Sequence, residues 1–136
     1  MSESRFYHIS ATGEFTGVLT LTAVLVAAKE GGFLWLDYYE PTKEELSTLI
    51  TPLGLHPLSI EDCTDENQVP KIENFPRNTF ILFNTFSYLD GVLTIGELDL
   101  IIGDNFLVTV SGRDLESRRL LSGIERSVEL SQFYLN

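Results

Sequence analysis

The sequence is poor in reactive side chains, with one cysteine, one methionine and two histidines among 136 residues. The lone Cys63 excludes an internal disulfide, which suits a reducing compartment, and we interpret it as a small filler residue. Phosphate-binding glycine loops, paired histidines at metal spacing and Ser-His-Asp candidates are all missing from the sequence. We therefore predict no catalytic residues, no cofactor-binding residues and no enzymatic activity.

Long hydrophobic runs are also missing. The longest nearly apolar stretch, residues 19–28, has ten residues and is interrupted by Thr20 and Thr22, whereas crossing a bilayer takes about twenty. The start of the chain has no cleavable signal pattern. A hydrophobic content of 43% still indicates a globular fold. We expect one soluble domain over residues 1–136, without a membrane span.

Positive charge is scarce, and the net charge is −11. Binding to nucleic acid requires clustered lysines and arginines, so we predict no nucleic-acid partner. The negative charge is concentrated in residues 31–66, which contain eight acidic side chains and one basic side chain.

The most informative segment is residues 54–75, GLHPLSIEDCTDENQVPKIENF. Four of the six residues 61–66 are carboxylates: Glu61, Asp62, Asp65 and Glu66. No basic residue lies between Lys43 and Lys71 to offset their repulsion. In a helix, residues four apart share a face, which would bring these side chains together in pairs. Magnesium, which prefers oxygen ligands, or cobalt(II) in a similar site, would offset the repulsion.

The acidic segment has two alternative interpretations. From composition alone, a solvated acidic face at the start of a loop is favoured over a metal site. A metal-dependent phosphohydrolase would also need clustered carboxylates. It would further need a phosphate cradle and carboxylates from separate elements, so ion sensing fits the segment better.

The order of predicted elements indicates the α/β class. A Thr42–Glu45 capping box and Pro57 mark the starts of two helices, over residues 42–53 and from 57 to about 63. Asp90-Gly91 predicts a hairpin turn between strands 79–89 and 92–102. We further expect strands at 5–9, 33–36 and 106–110, a buried helix at 23–28, and helix from 114. Helices would then cover a mixed, largely antiparallel sheet.

Several single residues have structural interpretations. We expect His56 to make a structural hydrogen bond in its turn and Asp37 to cap the segment after its strand. Lys71 and Glu73 lie in a predicted edge strand and are expected to pair with neighbouring charges. The aromatic core candidates are Trp35, Phe80, Phe83 and Phe86.

The spacing in residues 54–75 resembles a known family. The shared motif is Leu-His-Pro-Leu, followed by Glu61-Asp62 and then by Gln-x-Pro-Lys-Ile-Glu-x-Phe. This motif is similar to the one in the amino-terminal soluble domain of CorA-type magnesium and cobalt transporters. The resemblance extends over residues 33–128 and includes Trp-Leu-Asp at 35–37 and the strand Asn-Phe-Leu-Val-Thr at 105–109. One departure is Val69, where the family usually has arginine.

The resemblance implies a three-layer α/β/α sandwich and a role in regulating ion transport at the cytoplasmic face of the membrane. Glu61 and Asp62 match the family's acidic pair, and Asp62 is the better candidate. Magnesium would bridge it to carboxylates on a stalk helix of a neighbouring copy and hold a pentamer closed. The predicted metal residues are thus Asp62, Glu61, Asp65 and Glu66, with weak, millimolar binding in the isolated domain.

The family conducts ions through membrane helices that carry a Gly-Met-Asn signature. The only methionine here is Met1, so this signature is not in the sequence. We therefore expect the chain to be the soluble domain of a longer transporter, with its own stalk and transmembrane helices as further partners. The alternatives are the soluble domain of a ZntB-like zinc transporter and a stand-alone scaffold without an ion role.

Overall fold

A seven-stranded sheet forms the centre of the molecule. The structure is a computed structural model that describes residues 3–17, 20–65, 69–112 and 122–127. The strands are β1 Glu3–Ile9, β2 Phe15–Thr16, β3 Phe33–Tyr39, β4 Lys71–Asn74, β5 Thr79–Leu89, β6 Val92–Ile102 and β7 Phe106–Ser111. Their order in the sheet is β2-β1-β3-β7-β6-β5-β4. β3 and β7 pair in parallel and all other neighbours pair antiparallel, which confirms the predicted mixed sheet.

Helices lie on both faces of this sheet. The larger core packs one face against four helices: α1 Leu21–Ala28, α2 Lys43–Ser47, α3 Ile50–Leu53 and α4 Pro57–Thr64. The opposite face carries a second cluster of Tyr7, Trp35 and Leu98. Residues 122–127 are helical, and Glu125 from this turn accepts a hydrogen bond of 3.1 Å from Arg5 of β1. The α/β/α prediction is therefore confirmed.

The helix predicted over residues 42–53 is divided into two. The capping box is present, with Thr42 accepting from the Glu45 amide and Glu45 accepting from the Thr42 amide. However, α2 ends at Ser47 and α3 begins at Ile50. Pro52 explains the break, because its ring clashes with the carbonyl four residues earlier and it has no amide hydrogen to donate. The prediction overlooked this proline.

The helix expected at residues 23–28 exists, but it is not buried all round. Thr20 caps α1 by accepting a hydrogen bond from the Ala23 amide at 3.1 Å. Val24 is fully buried, whereas Val26 is 56% exposed. A run of small apolar residues fits a helix with one covered face as readily as one covered on all sides, so this part of the prediction was wrong.

Strand β3 is covered on both faces, as predicted, but it extends three residues beyond Leu36. Asp37 therefore lies inside the strand, and the next helix is capped by Thr42 instead, so the capping prediction was wrong. The Thr109 hydroxyl donates to Asp37 Oδ1 at 2.8 Å and accepts from Trp35 Nε1 at 3.0 Å. This buried chain of hydrogen bonds gives the Asp37 carboxylate a polar partner away from water.

The β5–β6 hairpin has the predicted bounds, and its turn residues Asp90 and Gly91 have φ values of 51° and 78°. Positive φ at both positions is the type I′ geometry that suits the twist of the strands. Trp35 and Phe80 are buried as predicted, and Phe83 is half-buried. Phe86 is 65% exposed, so its assignment to the core was wrong. The hairpin extends beyond both of its neighbouring strands, and Phe86 lies in the extension.

Candidate functional site

The two ends of the segment 54–75 fold back onto each other. The imidazole of His56 stacks on the ring of Phe75, with centroids 4.3 Å apart and planes 17° apart. Beyond the segment, Asn78 Nδ2 donates to the carbonyl of Gly54 at 2.9 Å. These contacts hold the Leu-His-Pro turn against the chain that enters β5.

His56 begins helix α4. Its Nδ1 atom accepts a hydrogen bond from the Leu58 amide at 3.1 Å, and Pro57 occupies the first helical position, where no amide donor is needed. The predicted structural hydrogen bond is confirmed. Because Nδ1 is used as a helix cap, metal binding by this atom would expose an unpaired backbone donor.

Gly54 gives the turn before α4 its shape. It ends α3 in the left-handed region with φ of 70°, and its amide donates to the Ile50 carbonyl at 2.8 Å. A Cβ atom at this position would lie only 2.5 Å from Nη1 of Arg77. The backbone angle therefore favours glycine, whereas the exposed Arg77 guanidinium lies at the end of a flexible side chain that can move aside.

Asp62 lies near β4 and has a cationic partner in its own chain. Lys71 Nζ lies 2.6 Å from Asp62 Oδ2 and 2.9 Å from Glu73 Oε1. Hydrogen bonds to Asp62 and then to Glu73 raise the pKa of Lys71 to about 12. The Asp62 side chain is only 17% exposed. The expected pairing of Lys71 and Glu73 with neighbouring charges is confirmed. The ion pair between Lys71 and Asp62 offsets part of the repulsion predicted among the carboxylates of residues 61–66.

The other carboxylates of the acidic segment lie apart from this ion pair. Glu61 and Asp65 are exposed, and Asp65 ends α4 by donating its amide to the Glu61 carbonyl at 3.0 Å. Glu66 lies outside the described residues. Across the described part of the chain, no group of three or more His, Cys, Asp or Glu residues is arranged to hold a metal ion. The metal assignment to these four residues stays a prediction.

A buried carboxyl beneath α4 was not anticipated. Asp99 of β6 is 1% exposed, and burial, followed by the charge of Glu97, raises its pKa to about 9. Burial of Cys63 raises the pKa of its thiol as well. Asp99 is therefore protonated at neutral pH. Cys63 is buried in the core, consistent with the filler interpretation.

The pattern of β6 contained a signal for this carboxyl. Asp99 lies directly opposite Leu82 and shares its face with Ile101, both of which are buried. Since side chains alternate along a strand, a charged residue at a position that faces the core predicts an altered pKa. Nothing in the sequence indicated that α4 would cover this position.

The sequence of this chain is similar to the sequences of proteins named as metal ion transporters. A family model described as CorA-like Mg2+ transporter protein matches residues 30–130. YfjQ of Bacillus subtilis, named as a metal ion transporter, is 32% identical over 75 residues, which cover 55% of this chain and 23% of YfjQ. The magnesium transporter ALR2 of Saccharomyces cerevisiae is 36% identical over 52 residues, covering 38% of this chain and 6% of ALR2. The chain thus spans less than a quarter of these relatives.

Solved structures share the fold. The soluble domain of CorA from Methanocaldococcus jannaschii superposes with a TM-score of 0.60 at 18% identity, covering 90% of this chain and 46% of that one. The complete CorA magnesium transporter from the same organism gives a TM-score of 0.60 at 17% identity, covering 93% of this chain and 37% of that one. Each helix in the described part of this chain is too short or too polar to cross a membrane.

Proposed function

Since the chain belongs to the family of CorA-like Mg2+ transporter proteins, we propose that it is the regulatory domain of a divalent metal ion transporter. The ion is magnesium or cobalt, and the domain responds to magnesium through carboxylates shared between copies of the protein. The partners are further copies in a pentamer and the stalk and transmembrane helices of the same protein. The domain would lie at the cytoplasmic face of the membrane.

One observation carries this proposal: Glu61 of α4 and Asp65 at its end are exposed to solvent, while the Asp62 side chain beside them is 17% exposed. Magnesium keeps several of its waters and often binds through only one or two carboxylates. Such a surface can supply part of a coordination shell, and a neighbouring copy would supply the rest. The missing ligands explain why a single chain would bind the ion weakly.

The regulatory effect follows from differential affinity. A bridging ion offsets the repulsion between carboxylates only in the assembly that brings them together, so it stabilises that assembly. When magnesium is abundant, the closed ring is favoured; when it is scarce, repulsion between the facing acidic surfaces loosens the ring. An ion that bound both states equally would shift nothing.

Lys71 competes with the ion in this scheme. Its ammonium group contacts Oδ2 of Asp62, so a bridging magnesium must use Oδ1 or displace the lysine. The ion pair is partly exposed on both sides, with side-chain exposures of 31% and 17%, and pairs of this kind contribute about 0–1 kcal/mol. Displacing Lys71 from Asp62 therefore costs a doubly charged ion little free energy.

A magnesium titration followed by NMR of the labelled chain tests the proposal. We expect shifts centred on α4 that saturate in the millimolar range and disappear in the double variant Glu61→Gln, Asp62→Asn. Asp104→Asn is the matched control, because it removes an exposed carboxylate in the turn before β7. The control should leave the shifts unchanged.

Two outcomes would contradict the proposal. A micromolar site that survives the double variant would place the ion elsewhere in the molecule. Unchanged spectra, melting temperature and assembly at all magnesium concentrations would instead favour a scaffold without an ion role, an alternative that the Asp62–Lys71 ion pair supports.

A further inference from the structure

The distal half of the β5–β6 hairpin exposes an unusual amount of apolar surface. Its six large apolar side chains are each more than half exposed: Phe86 65%, Tyr88 75%, Leu89 71%, Val92 62%, Leu93 57% and Ile95 57%. The cause is the sheet register, since β4 pairs with β5 only as far as Leu82 and β7 pairs with β6 only from Leu98. Beyond those points the sheet is a two-stranded ribbon, which is marginally stable on its own in water.

Four of these side chains form one continuous surface. Phe86 lies directly opposite Ile95, and Tyr88 lies directly opposite Leu93. Side chains two residues apart point to the same face of a strand, so the two pairs lie side by side. We call Phe86, Tyr88, Leu93 and Ile95 the hairpin face. It continues the face of the sheet on which α4 lies.

Negative charge borders the hairpin face at both ends. Asp90 lies in the turn at the tip and is exposed. At the inner end lies the half-buried acidic side chain of Glu97, directly opposite Asn84. The whole chain carries a net charge of −11. A ligand for this surface is therefore apolar in the middle and basic at its ends.

The dimensions of the hairpin face indicate which kind of partner fits it. From Glu97 and its partner strand to the turn, the ribbon is about 17 Å long, and it is about 10 Å wide with side chains. These are the length and diameter of about eleven residues of α-helix. A stable interface between two globular proteins buries about 800 Å² of accessible surface per partner, which is more than the four partly exposed side chains of the hairpin face provide. Two copies packed hairpin to hairpin would fall short of it and would also bring like charges together.

We propose that the hairpin face is a docking site for a basic amphipathic helix of a partner protein. The apolar stripe of that helix, repeating at positions i, i+3, i+4 and i+7, packs on Phe86 and Ile95 and on Tyr88 and Leu93. Its lysines or arginines pair with Asp90 at the tip and with Glu97 at the inner end. This role is independent of the magnesium response proposed for α4.

A synthetic helical peptide with leucine at i, i+3, i+4 and i+7 and lysine at the other positions serves as the probe. Fluorescence anisotropy with the 136-residue chain should show binding that the double variant Phe86→Ser, Ile95→Thr weakens by about tenfold or more, as expected for two central anchors. Val26→Thr, which changes an exposed apolar residue on α1, is the matched control and should bind as the original chain does.

A charge variant gives a second, independent measurement. Asp90→Asn keeps a residue that tolerates the positive φ of the turn and removes the charge at the tip. We expect weaker peptide binding and a smaller dependence on salt concentration, because one screened ion pair is lost. Circular dichroism of each variant shows whether the fold is kept, and this single substitution tests the site even if the double variant unfolds.

Four results would overturn the proposal. The first is that a peptide with glutamate in place of lysine binds as tightly as the lysine peptide. The second is that the peptide binds equally to the chain with and without the Phe86 and Ile95 substitutions. The third is a concentration-dependent dimer in sedimentation experiments that these substitutions abolish, which would make the occupant a second copy. The fourth is binding to phosphatidylcholine vesicles through the hairpin in preference to the peptide.

Discussion

Lys71 Nζ contacts Asp62 Oδ2 at 2.6 Å and links the first strand after the acidic segment to the helix within it. The lysine follows the carboxylate by nine residues, and this contact brings the first residue of β4 beside α4. The charge that the acidic segment appeared to lack is thus supplied by the strand that follows it. This relationship makes Asp62 a site of competition between an ammonium group and any divalent ion.

Replacing the lysine tests this competition. Lys71→Met should strengthen magnesium binding at α4 by about twofold to fivefold, because the ion no longer competes with a pair worth up to about 1 kcal/mol. Stability should fall by no more than that amount. A magnesium titration by NMR measures the affinity, and Lys29→Met at the end of α1 is the control. Weaker magnesium binding in Lys71→Met would mean instead that the lysine positions Asp62 for the ion.

Asp99 should give the stability of the protein a distinctive pH dependence. Its pKa rises from 3.8 to about 9 on folding, because burial and the nearby Glu97 disfavour the charged form. Between these values the folded state binds more protons than the unfolded state, so this group makes stability fall as pH rises from about 4 to about 9. At lower pH the carboxyl is protonated in both states and contributes no such loss.

The variant Asp99→Asn isolates this effect. The amide cannot ionise, so the difference in unfolding free energy between the original chain and the variant should shift in favour of the variant as pH increases. Urea denaturation at a series of pH values measures this difference. Glu97, Cys63 and Asp62 also face the Asp99 carboxyl, and they are present in both proteins. The test therefore uses the difference in unfolding free energy between the two proteins and not either value alone. A difference that stays constant from pH 4 to pH 9 would refute the assignment of a protonated Asp99.

Gly54→Ala should destabilise the protein by about 1–2 kcal/mol through its left-handed backbone. Gly112→Ala is the matched control, because a Cβ atom there meets nothing within 4 Å. Adding Arg77→Ala to the Gly54 variant should change this loss little, because the exposed guanidinium can move away from the new methyl group. Thermal denaturation measures all of these variants, and equal stability of the two alanine variants would contradict the role of Gly54.

Local chemistry explains which parts of the fold the sequence predicted well. The hairpin was placed to the residue because Asp90-Gly91 specifies a turn whose geometry fixes the register of both strands. The capping box at Thr42 was found because it lies within four residues of sequence. The break before Ile50 was missed because the apolar stripe was given more weight than Pro52.

Long-range contacts explain the rest. Asp37 seemed to be a cap because its partner, the Thr109 hydroxyl, lies 72 residues away in sequence. Phe86 seemed to be a core residue because the alternation of a strand does not reveal how far its neighbours extend. In the candidate site, the Leu-His-Pro spacing identified the family, but the partner of Asp62 and the buried carboxyl beneath it depend on how α4 packs on the sheet.

The parallel pairing of β3 with β7 has a consequence for how the protein is made. Within the described part of the chain, it is the only strand pairing that joins the three strands of residues 3–39 to the four strands of residues 71–111. Pairing so distant in sequence forms late and slowly. During synthesis, β3 therefore keeps one edge open until β7 has left the ribosome, and an open edge of apolar residues is a template for wrong pairing. Any shortened chain that stops before Phe106 would retain that exposed edge permanently.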